Sequence, residues 1–131
     1  MPSPDDVIHT DSAPAAVGPY SQAVRAGDFV LCSGQIPLDP STGEIVGDAP
    51  GDQAAQCLTN LAAVAEAAGT TLAAAVRLTI YTTDLAAFDQ INAAYGEFFG
   101  EHPPARAAGG VVALPRGAQV EIDAILHAPG R

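Results

Sequence analysis

Residues 52–68 carry the pattern that most constrains this chain. Leu58, Leu61, Ala62, Ala65 and Ala68 recur at helical spacing, Asp52 stands where an N-cap would, and Gly69 takes the place of a C′ glycine. The period then changes. Over residues 76–82, Val76, Leu78 and Ile80 alternate with Arg77, Thr79 and Tyr81, the two-residue repeat of a strand with one polar face. A helix followed at once by such a strand commits the chain to a mixed architecture.

The flanking segments extend this frame. Val7-Ile8-His9 reads as a short edge strand, and residues 22–26 and 29–33 as two strands joined at Gly27-Asp28. Thr83 or Asp84 caps a second helix running to residue 99 and ended by Gly100, with Phe88, Ile91, Asn92, Tyr95, Phe98 and Phe99 as its buried stripe. Pro103-Pro104 forbids continuation of that helix and forces extended chain. Residues 105–114 then read as a strand and Pro115-Arg116-Gly117 as a turn. In residues 119–127, Val120, Ile122, Ala124 and Leu126 alternate with Glu121, Asp123 and Ile125. The order β-β-β-α-β-α-β-β predicts one α+β domain over residues 1–131, a mixed sheet with both helices on one face.

Composition limits what such a domain does. Aromatic residues make up 5% of the chain, so its core must come from Ala, Val, Leu and Ile, which bury little area each. A thin core of this kind favours oligomerisation. Five arginines are the whole basic complement against fifteen acidic residues, a formal charge of −10. Non-specific binding to a polyphosphate backbone, or a basic helix lying on a membrane, conflicts with that balance. The apolar stretch 61–81 contains Glu66, Gly69 and Arg77, so it does not read as a membrane span. The acidic, Pro-rich start lacks the basic region of a secretory signal, and the chain is expected in the cytoplasm. Cys32 and Cys57 each sit in an apolar segment and read as buried thiols.

Standard catalytic motifs are absent, and His9, His102 and His127 share no metal-ligand spacing. Attention falls on polar residues in apolar company. Asn92 lies inside an aromatic stripe, where a carboxamide needs partners; it reads first as a structural hydrogen bonder. Glu121 and Asp123 share the polar side of the last strand, a solvated face unless another subunit packs on it. Arg106 is the most conspicuous cation, with two prolines before it and Ala107-Ala108-Gly109-Gly110-Val111 after it. From the residues alone, a salt bridge between Arg106 and Glu121 is as good a reading as an anion site at Arg106. Arg25, Arg77, Arg116 and Arg131 have blander contexts. Gly18-Pro19-Tyr20-Ser21-Gln22 and Ser33-Gly34-Gln35-Ile36-Pro37 place polar side chains in constrained backbone, which reads first as turn chemistry.

Those two segments also carry a resemblance. Ala13-Pro14-Ala15-Ala16-Val17-Gly18-Pro19-Tyr20-Ser21-Gln22-Ala23-Val24 is followed in register by Ser33-Gly34-Gln35-Ile36-Pro37-Leu38-Asp39-Pro40 and Thr42-Gly43-Glu44. Then come Asp84-Leu85, Phe88, Asn92, Tyr95, Phe98-Phe99, Pro104-Ala105-Arg106, Leu114-Pro115-Arg116-Gly117 and Val120-Glu121-Ile122. In these motifs the chain resembles the RidA family of reactive-intermediate deaminases, also called YjgF, over nearly its whole length. The resemblance implies a chorismate-mutase-like α+β fold and a homotrimer with active sites in the clefts between subunits. It implies hydrolysis of enamine and imine intermediates such as 2-aminoacrylate, 2-iminopropanoate and 2-iminobutanoate to 2-oxo acids and ammonia, with no metal or organic cofactor. Arg106 matches the family arginine that holds the substrate carboxylate, and Glu121 the glutamate that activates water. Tyr20 matches a tyrosine lining the cleft, Gly34 a backbone contact to substrate, and Ser33 and Asn92 polar residues near the pocket. Gly109, where the family usually has a larger apolar residue, and Pro103, where a Phe is frequent, are departures beside Arg106. A non-catalytic trimer that binds 2-oxo acids is the second reading. An endoribonuclease or translation inhibitor is a third, opposed by the net charge.

Overall fold

The computed structural model describes residues 1–130; Arg131 lies outside the described residues. Six strands form one sheet: β1 (Val7–Ile8), β2 (Ala23–Ala26), β3 (Phe29–Gln35), β4 (Ala75–Thr82), β5 (Ala105–Gly110) and β6 (Val120–His127). Two helices, α1 (Pro50–Ala67) and α2 (Phe88–Phe99), fall between β3 and β4 and between β4 and β5. The expected order of elements holds. The strands are arranged β1-β2-β3-β6-β4-β5, antiparallel except for the β4–β5 pair. That parallel pair follows from α2, which carries the chain back across the sheet as a crossover.

One face of the sheet is buried. Val30, Leu78, Ile80, Val120, Ile122 and Leu126 are fully buried and pack with Leu58, Leu61 and Val64 of α1 and Ile91 of α2 in a single cluster. Both helices therefore cover the same face. On the opposite face Phe29 and Leu31 remain exposed. The alternation in β6 accounts for the division: Val120, Ile122, Ala124 and Leu126 are all buried, and their neighbours in sequence are not.

Several boundaries differ from expectation, each for a physical reason. α1 starts at Pro50, a residue suited to the first turn because its missing N–H would be unpaired there anyway. Asp52 is thus an acid inside the first turn, where the helix dipole favours it, and the cap position belongs to Ala49. Gly69, at φ 83°, does follow the end of the helix. Arg25 donates to the carbonyls of Ala68 (2.6 Å) and Ala128 (2.9 Å), satisfying a helix-end carbonyl and fastening the segment just after β6. α2 is preceded by a single 3-10 turn, Leu85–Ala87, and has no side-chain cap from Thr83 or Asp84. Of its expected stripe only Ile91 and Tyr95 are buried; Asn92 is exposed on the α2 surface facing β5. β5 ends at Gly110, not Leu114. Val111 N–H still bonds to Thr82 O (2.8 Å), but β4 stops at Thr82 and offers no further partner. β5 is an edge strand, which tolerates Gly109 and Gly110 better than a central strand would.

Candidate active site

Glu121 projects from β6 on the face away from the helices, paired across the ladder with Tyr81. Its carboxyl lies against the backbone of β3. A Cβ built on Gly34 would collide with the carboxylate and stand 2.9 Å from its Cδ, so glycine at this position is what allows the side chain to settle there. Burial first, and the neighbouring Asp123 second, push the Glu121 carboxyl above the ordinary carboxylate range. Asp123 in turn accepts a hydrogen bond from the Tyr81 hydroxyl (3.2 Å).

Beside Glu121 opens a cavity of about 270 Å³ bounded by Pro14, Ala15, Val17, Tyr20, Gln22, Gln35, Ile36, Leu38, Pro115 and Arg116. Tyr20 is half-exposed at its edge. Ser33 holds the Tyr20 segment in place: its hydroxyl donates to Ser21 O (2.6 Å) and its N–H to Gln22 O (2.9 Å). Ser33, Gly34, Tyr20 and Glu121 are therefore assembled in one region, with Ser33 supporting the wall and Glu121 presenting a half-buried carboxyl.

Arg106 and Asn92 are assembled elsewhere. Arg106 Nη1 donates to Asn92 Oδ1 (2.8 Å), and the guanidinium carbon lies 5.4 Å from the Phe88 ring centroid and 5.0 Å from that of Tyr95. Cation–π contact of this kind and one hydrogen bond fix the plane of the guanidinium and leave other donors free. The Tyr95 hydroxyl below it is buried without a hydrogen-bond partner among the described residues. A second hollow of about 380 Å³, bounded by Tyr95, Phe99, Pro103, Pro104 and Arg106, adjoins this cation.

The two halves cannot meet within one chain. Arg106 pairs with Leu78 and Glu121 with Tyr81, both on β4. Leu78 and Tyr81 are an odd number of residues apart, and side chains alternate along a strand, so Arg106 points to the helix face and Glu121 to the other. A salt bridge between them is thereby excluded. Among the described residues the ion pair present is His9–Asp11 at 3.7 Å, well exposed. The two cysteines are buried, as expected, and burial pushes the Cys32 thiol up to about 12 and that of Cys57 higher still. No group of three or more His, Cys, Asp or Glu among the described residues converges as a metal site, and no helix there is long and apolar enough to cross a membrane.

Sequence reasoning passed over Arg116 as an arginine in a turn. It lines the Glu121 cavity, takes a left-handed conformation (φ 61°) and donates to Gly43 O (2.9 Å). Phe88 and Tyr95 were legible only as core residues; their spacing around Asn92, four residues on and three short, is also what sets all three under one guanidinium.

Residues 10–128 match a family model described as endoribonuclease L-PSP. A 2-iminobutanoate/2-iminopropanoate deaminase of Escherichia coli K12 is 45% identical over 121 residues, covering 90% of this chain and 94% of that protein. The crystal structure of RidA from the Antarctic bacterium Psychrobacter sp. PAMC 21119 superposes with a TM-score of 0.89 at 45% identity, over 92% of this chain and 98% of that one. The chain belongs to the RidA family. Another relative, the RutC family protein y4sK of Sinorhizobium fredii, is 52% identical over 91% of this chain and 94% of its own. The RidA fold expected from the sequence, a mixed six-stranded sheet with two helices, is the one observed.

Proposed function

We propose that this RidA-family protein is a cytoplasmic enamine/imine deaminase that hydrolyses 2-aminoacrylate, through 2-iminopropanoate, and 2-iminobutanoate. The observation that carries the reading is the division of labour described above. A guanidinium free of carboxylates, its plane fixed by Asn92 and two rings, sits on one face of the sheet. A half-buried carboxyl with a raised pKa sits beside a cavity on the other. The site is complete only if a second copy brings its Arg106 to the Glu121 cavity. We therefore assign the enzyme a homotrimeric state with three such sites, consistent with the exposed apolar face of Phe29 and Leu31.

In that arrangement Arg106 grips the substrate carboxylate by a charge-assisted pair and holds C2 near Glu121. Ionised Glu121 takes a proton from water as the water oxygen bonds to C2, and passes it to the imine nitrogen. In the resulting carbinolamine it takes the hydroxyl proton as the carbonyl of the 2-oxo acid forms, and delivers it to the nitrogen, which leaves as ammonia. General-base assistance of this kind contributes about 10²–10⁴ in rate. No step calls for a cofactor.

The test generates 2-aminoacrylate in situ with a serine dehydratase and follows 2-oxo acid and ammonia release. Acceleration should disappear in Arg106→Ala and in Glu121→Gln. Co-refolding the two variants should restore activity, because by random assortment about one site in four regains both groups in a cyclic trimer. Tight 2-oxo acid binding without acceleration would favour the non-catalytic reading instead. Light scattering giving one chain's 13.2 kDa at micromolar concentration would contradict the trimer. RNA cleavage surviving both substitutions after rigorous purification would revive the nuclease reading, which the net charge of −10 opposes.

A further inference from the structure

Glu121 lies in a slot between two strands. On the β3 side the backbone of Gly34 stands against its carboxyl. On the β4 side its partner in the antiparallel ladder is Tyr81, so both side chains leave the same face of the sheet with Cβ atoms about 4.5–5.5 Å apart. Tyr81 has Gly109 as its neighbour on β5. A Cβ built on Gly109 meets nothing within 4 Å, so the Tyr81 ring does not lean that way and the space above Gly109 is open.

The ring leans toward β6 instead. Its hydroxyl donates to Asp123 Oδ2 at 3.2 Å, although the direct ladder partner of Asp123 is Thr79. Diagonal neighbours of this kind lie about 7–8 Å apart, a span that an aromatic side chain covers. The Asp123 charge first, then burial and the hydrogen bond itself, push the Tyr81 hydroxyl above its ordinary range, so it stays protonated and able to donate. Other ionisable groups surround Glu121. Tyr20 and Arg116 line its cavity, the buried Cys57 thiol of α1 feels its charge, and Arg77 stands farther along the same face of β4. Among the described residues none of these four makes a hydrogen bond or ion pair with Glu121 or Asp123.

We infer that Tyr81 is a positioning residue for Glu121: latched to Asp123, its ring stands beside the Glu121 side chain as a wall opposite Gly34 and is kept from swinging over Gly109. The carboxyl thereby holds one orientation and a fixed share of its burial. This rests on the deaminase reading above, in which Glu121 activates water. Glycine at position 109 is what makes the latch necessary, since a larger side chain there would itself block the swing.

Tyr81→Phe removes the hydroxyl and keeps the ring. For 2-aminoacrylate, kcat should fall about tenfold, short of the roughly hundredfold cost of a full ~1 Å misplacement, with KM unchanged. The acid limb of the kcat profile should move to lower pH, because a loosened carboxyl is better hydrated. In a Gly109→Val background the same substitution should cost about twofold or less, because the valine fills the space the ring would enter. Gly109 lies outside the left-handed region on an edge strand, so valine suits its backbone. Asp123→Asn keeps an acceptor for the hydroxyl and should leave the plateau kcat near wild type. Asp123→Ala should lose as much as Tyr81→Phe, with no further loss when the two are combined. Unchanged kcat and acid limb in Tyr81→Phe, an equal loss in both Gly109 backgrounds, or a loss that falls on KM instead of kcat would each overturn the inference.

Failure of the deaminase reading looks different, because then the wild-type protein accelerates no imine. The unliganded protein still decides the latch. NMR titration of the Glu121 side-chain carboxyl carbon should give a lower midpoint in Tyr81→Phe than in wild type, restored by adding Gly109→Val, and identical midpoints would refute the positioning role.

Discussion

Gly34→Ala separates catalytic geometry from stability. The added methyl would stand 2.9 Å from Glu121 Cδ and 3.2 Å from its Cγ. Carbon atoms settle at about 3.5–4.0 Å, so the carboxyl must retreat by roughly 0.6–1 Å. A displacement of that size at a reacting group costs about 10² in rate, equivalent to about 2.7 kcal/mol of barrier. Gly34 does not occupy the left-handed region, so alanine fits its backbone. Alanine also restricts the unfolded chain, worth about 0.4–1 kcal/mol of stabilisation that offsets the crowding. The expected outcome is a hundredfold lower kcat for 2-aminoacrylate hydrolysis with KM nearly constant, because the proposed carboxylate anchor is Arg106. Tm should move by no more than about 4 °C. The control is the same substitution in a Glu121→Gln background, where almost no further loss is expected because both changes act through one side chain. Wild-type kcat in Gly34→Ala, or a full hundredfold loss in both backgrounds, would refute the reasoning.

Three further outcomes follow from the same contacts. In the proposed mechanism Glu121 works ionised, and its carboxyl is raised, so the rate should fall with decreasing pH at a point above the ordinary carboxylate range. Asp123→Asn removes the lesser cause of that shift, and the acid limb of the kcat profile should move to lower pH without reaching the unperturbed position; a fixed limb would disprove the coupling. With the Cys32 thiol pushed up to about 12, roughly 10⁻⁴ of it is thiolate at pH 8, so a thiol reagent should react with neither cysteine until urea unfolds the chain. Asn60→Ala removes the bonds to Ile36 O and Leu38 O and leaves Gln56 only its bond to Leu38 O, which should cost about 2–3 kcal/mol and lower Tm by about 6–12 °C in thermal melts.

Local periodicity was enough for much of the fold. The buried set Val120, Ile122, Ala124 and Leu126 is the alternation written in the sequence, and the α1 stripe of Leu58, Leu61 and Ala65 faces the core as its spacing requires. Where expectation slipped, a nonlocal partner decided. β5 stops because β4 runs out, and Asn92 is exposed because α2 presents it to the β5 arginine. Neither fact has a signal within the segment concerned.

The candidate residues were legible for a similar reason and within a similar limit. Arg106, Glu121, Tyr20, Ser33, Gly34 and Asn92 were all named from residue type, local context and motif resemblance. Those sources speak of identity, and each residue carries its own chemistry wherever the chain puts it. Their grouping was not legible. Arg106 and Glu121 fall on opposite faces because of how β5 and β6 register on β4, and one residue of slip in either ladder would reverse that relation. Gln22 is fully engaged, although nothing in its Gly- and Pro-rich segment says so, because only the folded chain brings Thr10 and Pro14 to it. The sequence by itself determined the elements and named the candidate groups, which depend on residue type and on neighbours a few residues away. Tertiary structure alone decided which groups share a face, a wall or a cavity, because that depends on register and closure over the whole chain.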